Sequence, residues 1–149
     1  VNVSNAHVLA TTGSHFTKMK LSYVDRLHMT GVNIKGGASI DLDALYLTDS
    51  SITGLTIMDG TAINVRHRNS DRTVFQNVFL ESGTHGLYVS PTTANTNTKF
   101  VGFQIGAMTS AGAYFNGACG STYLGGNNAA GTPITYGGAY TGNLATGSY

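Results

Sequence analysis

Thr53-Gly54-Leu55-Thr56-Ile57 is one of four versions of a single phrase in this chain. The others are Thr30-Gly31-Val32-Asn33-Ile34, Gln76-Asn77-Val78-Phe79-Leu80 and Val101-Gly102-Phe103-Gln104-Ile105. Their closing apolar residues, Ile34, Ile57, Leu80 and Ile105, stand 23, 23 and 25 positions apart. A sustained period of this length marks a solenoid, in which successive repeats stack to bury one continuous core and leave long regular outer faces.

The interior of the repeat identifies the kind of solenoid. Three positions before each anchor stands Gly31, Gly54, Asn77 or Gly102, the residue types that enter the left-handed backbone region at least cost, so a corner is expected there. Five positions before it stands Met29, Ile52, Phe75 or Phe100. Beyond it come alternating apolar pairs: Ile40/Leu42, Ile63/Val65, Leu87/Val89 and Ala113/Phe115. The last two align with the others if each of those coils carries an extra residue, near Gly86 and near Gly112. Period-two runs divided by Gly or Asn turns are strands. No window sustains a helical apolar stripe, which excludes ankyrin and tetratricopeptide arrays, and the Leu-rich signature of leucine-rich repeats is missing. The expected fold is therefore all-β: a parallel β-helix of about 23 residues per coil, its coils about 4.8 Å apart.

Composition agrees. The chain has 149 residues, 41% of them apolar and 10% charged, with net charge +1. That balance suits one domain with a thin core and gives no reason to expect nucleic acid or an anionic membrane as partner. No apolar run reaches membrane-spanning length, and no signal-peptide pattern is present. One cysteine, Cys119, excludes an intrachain disulfide framework. With nothing basic beside it to lower its pKa, it reads as a small buried side chain. The Asn2-Val3-Ser4 sequon is a match that chance produces easily. Coils are expected over residues 1–118, the first of them irregular, with Asn5, Val8 and Phe16 echoing the repeat and Leu21, Tyr23 and Leu27 supplying strands. Residues 119–149, rich in Gly, Thr, Ala and Tyr, hold too few aliphatic side chains for a core of their own. They read as an irregular segment that is flexible or ordered against partner chains.

Stacked coils, no disulfides, an uncapped strand-like start at Val1-Asn2-Val3 and a Gly/Thr/Tyr-rich end together resemble the right-handed parallel β-helix of bacteriophage tailspikes and tail fibres, within the wider pectate-lyase-like group. The resemblance covers residues 5–118 and is architectural. It implies a homotrimer with solenoids side by side, a place in the virion tail outside the cell, contact with other tail proteins, and attachment to a host by recognising a bacterial surface polysaccharide. A depolymerase, as glycoside hydrolase or lyase, and a purely structural shaft are the alternatives, because fold does not fix function. The uncapped start also suggests a piece of a longer chain.

Candidate functional residues are the outward neighbours of the inward pairs. The expected columns are Asp41, Asn64, Tyr88 and Tyr114, and beside them Asp43, Arg66, Ser90 and Asn116. Carboxylates, amides and a guanidinium suit sugar hydroxyls, and two tyrosines one coil apart suit pyranose rings. Asp41 and Asp43, at i and i+2 on a strand, would lie about 7 Å apart, a separation compatible with an inverting glycosidase's acid and base. Arg66-His67-Arg68-Asn69-Ser70-Asp71-Arg72 reads as a basic loop between coils, able to take uronate or another acidic group, with Arg68 as a ligand-binding residue. Glu81, with His85 four positions on, is a third candidate acid. Asp41-Leu42-Asp43 lacks the glycine and distal glutamate of a calcium loop. His7, His15 and His28 show no ligand spacing, so no metal site and no cofactor are expected.

Overall fold

The computed structural model describes residues 1–8, 17–90 and 97–116, and the backbone of 121–124, 134–136 and 144–146. Cys119, Phe16, His15 and the greater part of 117–149 lie outside them. The described residues form strands and turns, with no helix among them. The strands are β1 (Asn2–Ser4), β2 (His7–Val8), β3 (Thr17–Asp25), β4 (His28–Thr30), β5 (Asn33–Lys35), β6 (Ile40–Thr48), β7 (Ser51–Thr53), β8 (Thr56–Met58), β9 (Ile63–Arg68), β10 (Val74–Gln76), β11 (Phe79–Val89), β12 (Thr98–Val101), β13 (Gln104–Phe115), β14 (Ser121–Leu124), β15 (Ile134–Tyr136) and β16 (Leu144–Thr146). Every pairing among them is parallel. The fold is a parallel β-solenoid.

Each coil visits three faces. The first carries β1, β4, β7, β10, β12, β14 and β16 in that order. The second carries β2, β5, β8 and the opening residues of β11 and β13. The third carries β3, β6, β9, the closing residues of β11 and β13, and β15. Between the first and second faces stand Asn5, Gly31, Gly54, Asn77 and Gly102, all at positive φ from 50° to 66°. Each of the first four corner N–H groups donates to a carbonyl of the next coil at 3.0 Å, as from Gly31 to Thr53 and from Asn77 to Val101. The corner expected from the repeated phrase is therefore both a turn and a rung of the ladder.

Inside, like positions stack. Met29, Ile52, Phe75 and Phe100 form one buried column, Val32, Leu55, Val78 and Phe103 a second, and Ile34, Ile57, Leu80 and Ile105 a third. Leu42, Val65, Leu87 and Ala113 line the third face, followed by Ala44, His67, Val89 and Phe115. Between the third face and the first, buried hydroxyls satisfy the backbone. Ser50 Oγ accepts from Leu27 N, and Ser70 Oγ accepts from Leu47 N, both at 3.0 Å.

Two readings of the register change. The extra residue placed near Gly86 is instead a missing one: Val65 lies opposite Leu87, and His67 opposite Val89. In the two preceding coils a turn separates the second and third faces, whereas β11 runs through without that turn and is one residue shorter. The extra residue expected near Gly112 is present, as a register shift where Gly83 and His85 face Met108 and Ala111. The second change concerns residues 66–72, read as a basic loop. Residues through Arg68 are strand β9, and His67, with neither hydrophobic character nor a hydrocarbon neighbour in sequence to betray it, fills a core position.

Candidate functional site

The third face gathers most of the residues singled out by sequence. Over these stretches its strands alternate, so the residues between Leu42 and Ala44, between Val65 and His67, and between Leu87 and Val89 leave the outward side of the strand. Strand pairing then lines up Lys20, Asp43, Arg66, Tyr88 and Tyr114 as one column across β3, β6, β9, β11 and β13. Beside it runs Ser22, Leu45 and Arg68. The expected column had Asp41 and Asn64 in place of Asp43 and Arg66. The missing residue in β11 shifts both tyrosines along, and brings them into line with the charged residues.

Asp43 anchors the column. Its side chain is almost fully buried, and Arg66 Nε and Nη2 donate to Oδ1 and Oδ2 at 3.0 and 2.7 Å. Arg68 Nη2 donates to the same two oxygens at 3.1 and 2.8 Å. Burial pushes the Asp43 carboxyl up, but the hydrogen bonds and charge of Arg66, joined by those of Arg68, outweigh it and hold the group below the usual carboxylate range. Charge-assisted contacts of this forked kind are both strong and directional. They fix two guanidinium groups on neighbouring ridges of the face, each still about one-fifth to one-quarter exposed.

Tyr88 and Tyr114 continue the column as a stacked pair, ring centres 4.9 Å apart and planes 20° from parallel. That distance matches the coil spacing, so the rings lie face to face along the solenoid and turn their edges and hydroxyls outward. One face of each ring expected to meet a pyranose is thus occupied by the other. His85 braces both edge-on, at 5.3 and 5.6 Å, and partial burial lowers its pKa. A second stacked pair, Tyr23 and Tyr46, stands at the far corner of the same face, centres 4.6 Å apart. Tyr23 is 76% exposed.

Asp41 and Asn64 sit differently. Both leave the outward side of their strands, yet both are 0% exposed, because the turns that lead into the third face fold over them. Asp41 Oδ1 accepts a hydrogen bond from Ala38 N at 3.3 Å, and its Oδ2 has no partner. Burial raises the Asp41 pKa to about 6 against the opposing pull of the Ala38 N–H and of Lys18. The Asn64 amide is wedged against the backbone of Gly60 and Gly83, where a Cβ would come within 2.3 and 2.6 Å of it. Neither amide atom has a partner. In this conformation Asp41 cannot reach a glycosidic oxygen, and Asp43 is engaged by two arginines, so the pair presents no open acid and base.

The remaining candidates are scattered. Glu81 is exposed on the second face, where Oε2 accepts from Asp59 N at 3.0 Å, and His85 turns to the tyrosines rather than to it. Asn116 follows β13 and donates its backbone N–H to Val89 O at 2.7 Å. A depression of about 150 Å³ lies at the first corner, lined by Asn77, Val78, Phe79, Gly102 and Gln104. It is smaller than the clefts that enclose small-molecule ligands. Among the described residues no three His, Cys, Asp or Glu side chains converge as a metal site would need. His67 is the residue that sequence reading missed, and its only signal was the period, which places it 23 positions after Ala44.

No protein-family model, curated protein or solved structure matches the chain.

Proposed function

We propose that the chain is a glycan-recognising segment of a β-helical attachment fibre of the tailspike and tail-fibre kind. In this reading it is displayed in the virion tail, assembled as a homotrimer of right-handed solenoids, and contacts a bacterial surface polysaccharide with its third face. The observation that carries the reading is the continuous outward column of Lys20, Asp43, Arg66, Tyr88 and Tyr114. It sets fixed donors beside aromatic edges and hydroxyls over several coils, which suits an extended polar polymer better than a compact ligand. The right hand follows from the general preference of parallel crossover connections.

A structural shaft is the second reading. The stacking of Tyr88 on Tyr114 and of Tyr23 on Tyr46 favours it, because such ladders also hold coil to coil. Binding to an array of bacterial capsular and lipopolysaccharide oligosaccharides separates the two. The parent protein should bind a subset of them, and the Tyr88→Ala/Tyr114→Ala protein should bind the same subset at least about tenfold more weakly, a loss of the size expected for an aromatic contact. A folded parent that binds no glycan would leave the shaft. Light scattering should return the mass of three chains, and a monomer at micromolar concentration would contradict the trimer.

A further inference from the structure

The charges of the third face do not balance, and this bears on which glycan it takes. Its two outward columns hold Lys20, Arg66 and Arg68 against a single anion, Asp43. Among the described residues Lys20 makes no ion pair, and its side chain is exposed. Arg66 binds Asp43 through Nε and Nη2, which leaves Nη1 unused by that contact. Arg68 binds it through Nη2 alone, which leaves Nη1, while its Nε is buried and without a partner. A guanidinium carries five N–H donors in a rigid plane. After Asp43 is fully served, several donors and a surplus of positive charge remain at the point where the arginines meet Tyr88.

Asp43 does more than neutralise. Because one buried carboxylate holds both arginines, their planes are fixed before any ligand arrives, and little side-chain entropy is left to lose on binding. A loose pair of surface arginines would lack this property. Fixed, partly exposed guanidinium edges beside outward tyrosyl hydroxyls match a sugar that bears a carboxylate, with hydroxyl partners close to the acid.

Resting on the reading of this face as glycan-binding, we propose that its ligand is an acidic polysaccharide, with the uronate-type carboxylate of one residue seated on Arg66, Arg68 and Lys20 and the neighbouring sugar against the Tyr88 and Tyr114 hydroxyls. The site selects by charge first and by hydroxyl pattern second.

The test uses the intact protein, a set of uronate-bearing bacterial oligosaccharides, and the same oligosaccharides after carboxyl reduction to the neutral sugars. Acidic forms should bind at least about tenfold more tightly at low salt, and the preference should shrink as the screening length falls from about 10 Å at 0.1 M to about 3 Å at 1 M. Lys20→Gln, at an exposed position that should not disturb folding, should cut affinity for the acidic forms several-fold, and by clearly more than it cuts affinity for the reduced forms. Arg66→Gln should abolish the preference, with circular dichroism used to confirm that the variant is folded. Equal affinity for acidic and reduced forms would overturn the proposal while leaving glycan binding in place. An acid preference that survives both substitutions would place the anion elsewhere and overturn it too. Absence of binding to every oligosaccharide would remove the glycan reading itself and this inference with it.

Discussion

His67 occupies the place that Ala44 and Val89 fill in the neighbouring coils. Its imidazole meets Phe75 and Phe100 edge-on at 5.2 and 5.3 Å, and neither ring nitrogen has a hydrogen-bond partner. Burial alone lowers its pKa to about 3. The unfolded chain therefore binds a proton on this group that the fold refuses, and stability is lost as pH falls from 6.5 toward 3. Asp41 has the opposite sense. Its folded pKa of about 6 exceeds the ordinary 3.8, so the fold takes up a proton first, and stability is lost as pH rises from 3.8 through 6. Over roughly pH 4 to 6 the two slopes oppose each other, and the parent should show only the smaller loss toward acid that the lowered His85 pKa adds. Single substitutions should separate them. His67→Phe should make the protein more stable toward pH 4, whereas Asp41→Asn should make it less stable toward pH 4, each by at most about 3 kcal/mol across the window. Melting curves at half-unit pH steps that showed the two variants sloping the same way would disprove both assignments. Below pH 4 all three proteins should weaken as Asp43, whose pKa is depressed, is protonated and releases its arginines. Alternation from Ile40 and Leu42 predicted the direction of Asp41 correctly. What it could not report is the turn folded across it, because burial of an outward residue depends on a segment that alternation does not describe.

At the scale of elements, the decisive event is the fusion of two short strands into β11 and β13. In earlier coils the turn through Asp59 and Gly60 bridges β8 and β9. In β11 the chain goes straight through Gly83 at φ 152°. These two glycines clamp Asn64. A Cβ on Gly60 would fall 2.4 Å from Ser82 O as well as against the Asn64 amide, and one on Gly83 would fall 3.0 Å from Ala62 O. Gly60→Ala and Gly83→Ala should each destabilise by about 1–3 kcal/mol or more, as overpacking against backbone does. Gly37, where a Cβ would meet nothing within 4 Å, should cost less on the same change, about the price of its positive φ alone. Chemical denaturation of the three variants tests this order, and a Gly37→Ala protein weaker than Gly83→Ala would refute the clamp. The first and second faces were legible because their corners are marked by Gly and Asn at every coil. The third face was not fully legible. Leu87/Val89 resembles Ile63/Val65 more closely than it resembles Val65/His67, and only the geometry of β11 selects the second. That two-position slip is why sequence reading set Asn64, and not Arg66, beside Tyr88.

For the whole molecule, the physics is that of a stack. Each coil covers only its neighbours, so no residue lies at a common centre, and stability is a sum of coils and of the contacts between successive coils. The exposed corner shows the same logic in its charges: Arg72 donates to Asp49 Oδ1 at 2.5 Å across one coil and also pairs with Asp71. Surface contacts of this kind add little, and the apolar columns carry the stack. The consequences of a break should then depend on where in the stack it falls. Ile57 lies in the middle, with Ile34 on one side and Leu80 on the other, all of them fully buried. Ile57→Asp would place an unpaired carboxylate between them and sever the column, at a cost of about 3–5 kcal/mol or more. Val3 lies in the first described coil, in register with Met29 of the next, and packs only partly buried against the core. Val3→Asp leaves the contacts among the later coils intact, and the first described coil can fray without taking the rest along. Hydrogen exchange should therefore show protection lost across coils on both sides of Ile57 in the first variant, and only around β1 and β2 in the second. Its melting temperature should fall by about 10 °C or more for Ile57→Asp and by far less for Val3→Asp. Equal losses from the two substitutions would mean that the chain unfolds as one globular unit, and that the one-dimensional coupling inferred from its stacked columns is wrong.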